Sequence, residues 1–115
     1  MNWYKQAQVN TNYVFLYRGM SIEDFDRYQK TGVLQKTPHN GNSASTNIET
    51  ARYYASQHDD PGVIISFEAP IHEVKQDAIS KEDYSFISDI HPKNVKIVEN
   101  SISLGKWKED NHELV

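Results

Sequence analysis

Past Pro70 no stretch of this sequence reads as a helix. VIISFE at 63–68 is a run of β-branched and aromatic residues, the pattern of a buried central strand. Weaker extended pieces follow: IHEV at 71–74, YSFIS at 84–88, VKIVE at 95–99 and SISL at 101–104. Parallel neighbours in a sheet need a crossover of about a dozen residues, usually helical. None separates these pieces, so the strands are expected to run antiparallel, and a doubly wound parallel sheet is excluded.

The first half alternates. YVFLYR at 13–18 is a continuous apolar, β-prone run, and Gly19 ends it. Ser21 with Asp24 three residues on forms a capping box, and Ile22, Phe25 and Tyr28 give one apolar helical face. Gly32 stands where such a helix ends, and Val33-Leu34-Gln35 suits a short strand. KTPHNGNSAS at 36–45 is a loop by its turn chemistry. Thr46 with Glu49 repeats the capping signature before a second helix, whose inner face is Ala51, Tyr54 and Ala55. DDPG at 59–62 is a turn. Strand, helix, loop, helix and then strands make an α+β domain, with mostly antiparallel strands and two or three helices beside them. At 115 residues there is room for one domain. We place it at 13–104, between an N-terminal arm at 1–12 and a C-terminal tail at 105–115.

Composition removes several classes. With no cysteine there is no disulfide, thiolate zinc site or thiol chemistry. No apolar run reaches the ~18 residues of a membrane span. MNWYKQAQVN lacks the apolar stretch of a secretory signal, so the expected compartment is the cytoplasm of the cell that makes or hosts the chain. Net charge is −4, against the basic surface that general nucleic-acid binding demands. The charge is uneven. Residues 1–58 carry six Lys/Arg and four Asp/Glu, a balance of +2, while 59–115 carry six Lys and twelve Asp/Glu, a balance of −6. A site built from both halves could hold an anion on one side and a developing cation on the other.

Three stretches carry candidate chemistry. Arg18 ends an apolar strand beside Gly19, placing a forked cation at a sheet rim where it can grip a phosphate or close a salt bridge. Ser43, Ser45 and Thr46 lead into a helix, where hydroxyls and free N–H groups hold an anion or ribose or simply cap the helix. Glu82-Asp83 precedes a strand, as a catalytic acid pair or a solvated turn. Five histidines (39, 58, 72, 91 and 112) show no metal-ligand spacing and read as loop or surface residues.

The order of these pieces resembles the small ADP-ribosyltransferase domains of bacterial toxins and phage proteins, of the arginine–serine–glutamate class. It is carried by Tyr17-Arg18-Gly19, by Ser43-Ala44-Ser45-Thr46 running into a T-x-x-x-A-x-x-Y-A helix, by VIISFE, by the acidic pair and by D-I-H-P-K-N-V-K-I-V, across about residues 13–99. The resemblance implies a split β-sandwich and a mono-ADP-ribosyltransferase that uses NAD as substrate and modifies a protein target, as a toxin or phage effector does. It implies that Arg18, with Gly19 beside it, grips the diphosphate or ribose of NAD. Ser45, with Ser43 and Thr46, shapes the nicotinamide-ribose pocket, and Tyr54 packs beneath that pocket or lines it. Breaking the nicotinamide–ribose bond builds positive charge on the sugar, and a carboxylate near it stabilises the transition state more than the ground state. Asp83 is the preferred match to that acid and Glu82 the alternative. The family's E-x-E is missing, however, since Lys81 or Ser80 stands two positions earlier. A third register puts Glu82 in the first position and Tyr84 in the catalytic one, which implies an inert transferase. The second functional expectation is therefore an inactive domain of this fold that binds a protein partner as a small inhibitor.

Overall fold

The computed structural model describes residues 12–36, 43–56 and 62–100. Six strands form one sheet: β1 (Tyr13–Met20), β2 (Ala44–Ser45), β3 (Val63–Pro70), β4 (Val74–Gln76), β5 (Asp83–Phe86) and β6 (Lys93–Glu99). Their order across the sheet is β4-β5-β2-β1-β3-β6, and every neighbouring pair is antiparallel. Among the described residues two helices accompany the sheet, α1 (Ile22–Thr31) and α2 (Ile48–Ser56). The α+β class with antiparallel strands is as the sequence predicts.

The centre of the sheet is the ladder of β1 on β3, in register from Tyr13↔Pro70 to Met20↔Val63. Side chains alternate across a strand, so the two faces of this ladder separate cleanly. Leu16, Met20, Val63, Ile65, Phe67 and Ala69 share one face and belong to the main core with Leu34, Ala44, Val74, Phe86 and Ile90. Phe25 and Tyr28 of α1 pack against that core. The other face carries a smaller cluster, Ile64 with Ala51 and Ala55 of α2, bordered by Tyr17 and Ile48. The two helices therefore cover opposite faces of the sheet. Burying a side chain such as Phe67, which has no exposed surface, contributes roughly 1.5–3 kcal/mol. Gly19 permits the closer of the two contacts. A Cβ there would run into the carbonyl oxygen of Ala51 and come within 2.7 Å of Ala55 Cβ.

Local signals hold at α1. The amide of Asp24 donates to Ser21 Oγ at 3.1 Å, and Gly32 adopts φ 78° with its N–H donating to the Tyr28 carbonyl. The Asp24 carboxylate serves Arg27 at 2.9 Å. The cap of α2 differs from expectation. It is Asn47, whose Oδ1 accepts from the Glu49 amide at 2.9 Å, rather than Thr46. The amide of Thr46 is spent on the Glu82 carbonyl at 2.9 Å, so Thr46 is tied to the chain before β5, just past the end of β2, instead of opening the helix.

Other boundaries shift as well. IHEV divides into a 3-10 turn at Ile71–Glu73 and the start of β4. The strand expected at 84–88 runs Asp83–Phe86, and the one expected around Leu34 is a single bridge to Ile90. The tail, SISL, residues 1–11 of the arm and His39, His58 and His112 lie outside the described residues.

Candidate functional site

The three stretches singled out in the sequence meet in the sheet, on strands β1, β2 and β5. Tyr17 pairs with Ser45, and Ser45 pairs with Asp83. Residues directly opposite across strands share a face. Tyr17, Ser45 and Asp83 therefore lie on the α2 face. Arg18, one residue along, lies on the α1 face, where its neighbours in line are Ala44 and Tyr84, themselves a pair. The sheet brings the backbones of the expected site together and divides the side chains between its two sides.

On the α1 face Arg18 is half-buried. Its Nη1 donates to the Ser43 carbonyl at 2.6 Å, and its guanidinium carbon stands 5.0 Å from the centre of the Phe86 ring. Such stacking of a planar cation on an aromatic face is favourable once water is removed. Burial lowers the Arg18 pKa from its ordinary value, and the nearby Asp24 carboxylate acts in the opposite direction. Arg18 also lines a cleft of about 140 Å³ with Met20, Asp24, Arg27, Leu34 and Lys36. Three of these residues are cations and one is an acid. Sequence reading picked out Arg18 and missed Arg27 and Lys36, which come to the cleft from α1 and from the segment after it.

On the α2 face the acids and hydroxyls are tied to each other. Ser45 is buried, accepts from the Asn47 amide at 3.0 Å and donates from Oγ to the Glu82 carbonyl at 3.2 Å. The Glu82 carboxylate is exposed and takes a bond from Asn47 Nδ2 at 3.2 Å. Asp83 is partly exposed, and its amide and carbonyl brace the preceding turn through Ser80 and Asp77. Ser43 is buried and offers its carbonyl to Arg18. Gly19 faces α2, away from the cleft. Thr46 is exposed, with its hydroxyl turned to the Glu82 carbonyl. Tyr54 is exposed on α2 and meets Tyr53 edge-on, with ring centres 5.8 Å apart.

A further constellation stands apart from these residues. Glu73 is buried and holds His91, one of the five histidines read as loop or surface residues, through two hydrogen bonds. The two are eighteen positions apart, so no local spacing marked them.

Comparison with protein-family models, with curated proteins and with solved structures finds no match to this chain.

Proposed function

We propose that this chain has an ADP-ribosyltransferase-type fold, with the sheet as the larger part of a split β-sandwich, and acts by binding a protein partner as a small inhibitor. On this reading it does not turn over NAD. One observation carries the proposal. The positions in line with Arg18, on its own face of the sheet, are Ala44 and Tyr84. Cleaving the nicotinamide–ribose bond calls for a carboxylate beside the sugar whose anionic end the arginine holds. Tyr84 offers a phenol in a half-buried position, and Ala44 offers no hydroxyl. This pairing matches the register in which Glu82 takes the first acidic position and Tyr84 the catalytic one. The guanidinium is also occupied, bonded to a carbonyl and stacked on Phe86, which suits a structural cation.

The transferase reading has its own support, since Ser45, on the strand next to Arg18, is the direct partner of Asp83 on the strand beyond it. One experiment separates the two. Purified protein is incubated with NAD and extract of its native cell, nicotinamide release is followed by chromatography, and complexes are resolved by size and mass. The binding reading expects no release above the extract alone. It also expects a stoichiometric complex that survives Arg18→Ala and Asp83→Ala. NAD cleavage abolished by Asp83→Ala would overturn it in favour of the transferase.

A further inference from the structure

Glu73 is the one charged residue that is buried among the described residues, at 7% exposure. A carboxylate taken out of water is costly unless donors meet its oxygens. Both oxygens are met, and by a single residue. The His91 amide donates to Oε1 at 2.8 Å, and His91 Nδ1 lies 2.7 Å from Oε2. An ionised carboxylate only accepts, so Nδ1 carries a proton and, in the neutral ring, the lone pair stands on Nε2. The His91 side chain is 69% exposed, which leaves that nitrogen open to solvent.

The frame around the pair is firm. The Ile87 amide donates to the Glu73 carbonyl at 3.0 Å. Ile90 and Leu34 exchange both of their backbone bonds, at 2.8 and 3.0 Å. The amide bond from His91 would by itself fix the path of the chain. The second bond, from Nδ1, adds the orientation and tautomer of the ring. The antiparallel Leu34–Ile90 bridge also lays residues 33–36 alongside 89–91. Residues 33–36 form one wall of the cleft lined by Arg18, Arg27 and Lys36. The one acid at this bridge, Asp89, accepts from the Lys36 amide at 2.9 Å.

The geometry points to His91 Nε2 as a nucleophilic acceptor of a phosphoryl group from a small-molecule phosphoryl donor, with Glu73 as its positioning residue. The Nε2 lone pair forms the N–P bond as the donor's bond to phosphorus breaks, and the leaving group departs with that electron pair. Positive charge develops on the imidazole, and the Glu73 carboxylate stabilises it through Nδ1–H. This site is independent of the partner-binding reading.

The probe is potassium phosphoramidate, whose P–N bond breaks to release ammonia after protonation by solvent. His72 is the internal control, an exposed histidine whose side chain makes no hydrogen bond or ion pair among the described residues. Mass-spectrometric mapping over time should show His91 modified at least about tenfold faster than His72, a difference of ~1.4 kcal/mol in barrier. Nitrogen-15 spectra of the wild type at alkaline pH should show the proton on Nδ1. Glu73→Gln presents an amide N–H to Nδ1, which reverses the tautomer, and should bring the His91 rate down to that of His72. Equal rates in the wild type, or a wild-type ring protonated on Nε2, would overturn the assignment. Both wild-type readings stand even if the variant does not fold.

Discussion

Tyr17 stands directly opposite Ser45 across β1 and β2, and that single pairing turns Arg18 to the face of the sheet away from Ser45. Arg18 then acts as a core-bordering cation, bonded to the Ser43 carbonyl and stacked on Phe86. Arg18→Ala removes the bond and the packing together and should destabilise the fold by about 2 kcal/mol, as for a hydrogen bond to a charged group. Arg18→Met keeps the volume and removes a desolvated charge, so it should stay within about 1 kcal/mol of the wild type. Urea denaturation of both variants checks this. A methionine variant as unstable as the alanine one would mean that the charge itself is required.

At Gly19, β1 and α2 approach closely. Gly19→Ala forces a methyl against the Ala51 carbonyl and within 2.7 Å of Ala55 Cβ, both on α2. Both atoms belong to one helix and one of them is backbone, which leaves little room to give. The expected loss is about 1–3 kcal/mol, the usual range for overpacking. Thermal unfolding measures it. An unchanged midpoint would show that α2 lifts away without cost.

Much of this fold is written locally and much of the site is not. The β1 and β3 runs announce themselves by β-branched and aromatic content, and Ser21 marks the start of α1 as a cap should. The start of α2 escaped, because Thr46 and Asn47 are both good caps and the choice rests on the Glu82 carbonyl, thirty-six residues away in the chain from Thr46. The side of the sheet taken by Arg18 escaped for the same reason. Facing has a period of two, so a one-residue change in register moves a side chain across the sheet. That register is set by strands 28 residues apart, Tyr17 with Ser45, through a two-residue β2. Glu73 and His91 escaped because neither residue is unusual until the chain folds.

Arg52 fastens α2 to the edge of the sheet. Its Nε donates to Glu99 Oε1 at 2.6 Å, and Glu49 one turn back is a second partner. The bond to Glu99 is the main cause of the raised Arg52 pKa. Both members of the Arg52–Glu99 pair are largely shielded, at 23% and 14% side-chain exposure. A double-mutant cycle of Arg52→Ala and Glu99→Ala should therefore give a coupling of about 1 kcal/mol, the upper end for surface pairs. The Glu49→Ala cycle should give about half as much, because its carboxylate is more exposed and more screened. Equal couplings would place the anchor on the helix rather than between helix and sheet.

Asp77 organises the turn between β4 and β5. Its Oδ2 accepts from the Ser80 amide at 2.7 Å and from the Ile79 amide at 3.0 Å. Those two bonds, that from Ser80 first, hold its pKa below the ordinary 3.8. Both favour the ionised form, so the stabilisation they give the turn is complete above pH 3.8 and is lost as the pH falls through the lower folded-state value. An NMR titration should show the Ser80 and Ile79 amides moving together with a midpoint under 3.8. Asp77→Asn keeps an accepting oxygen and removes the titration, so both amides should then hold their positions through the acid range. A wild-type midpoint at or above 3.8 would mean that these amides do not hold the carboxylate in solution, and the exposed Ile79 at the tip would then lack its brace.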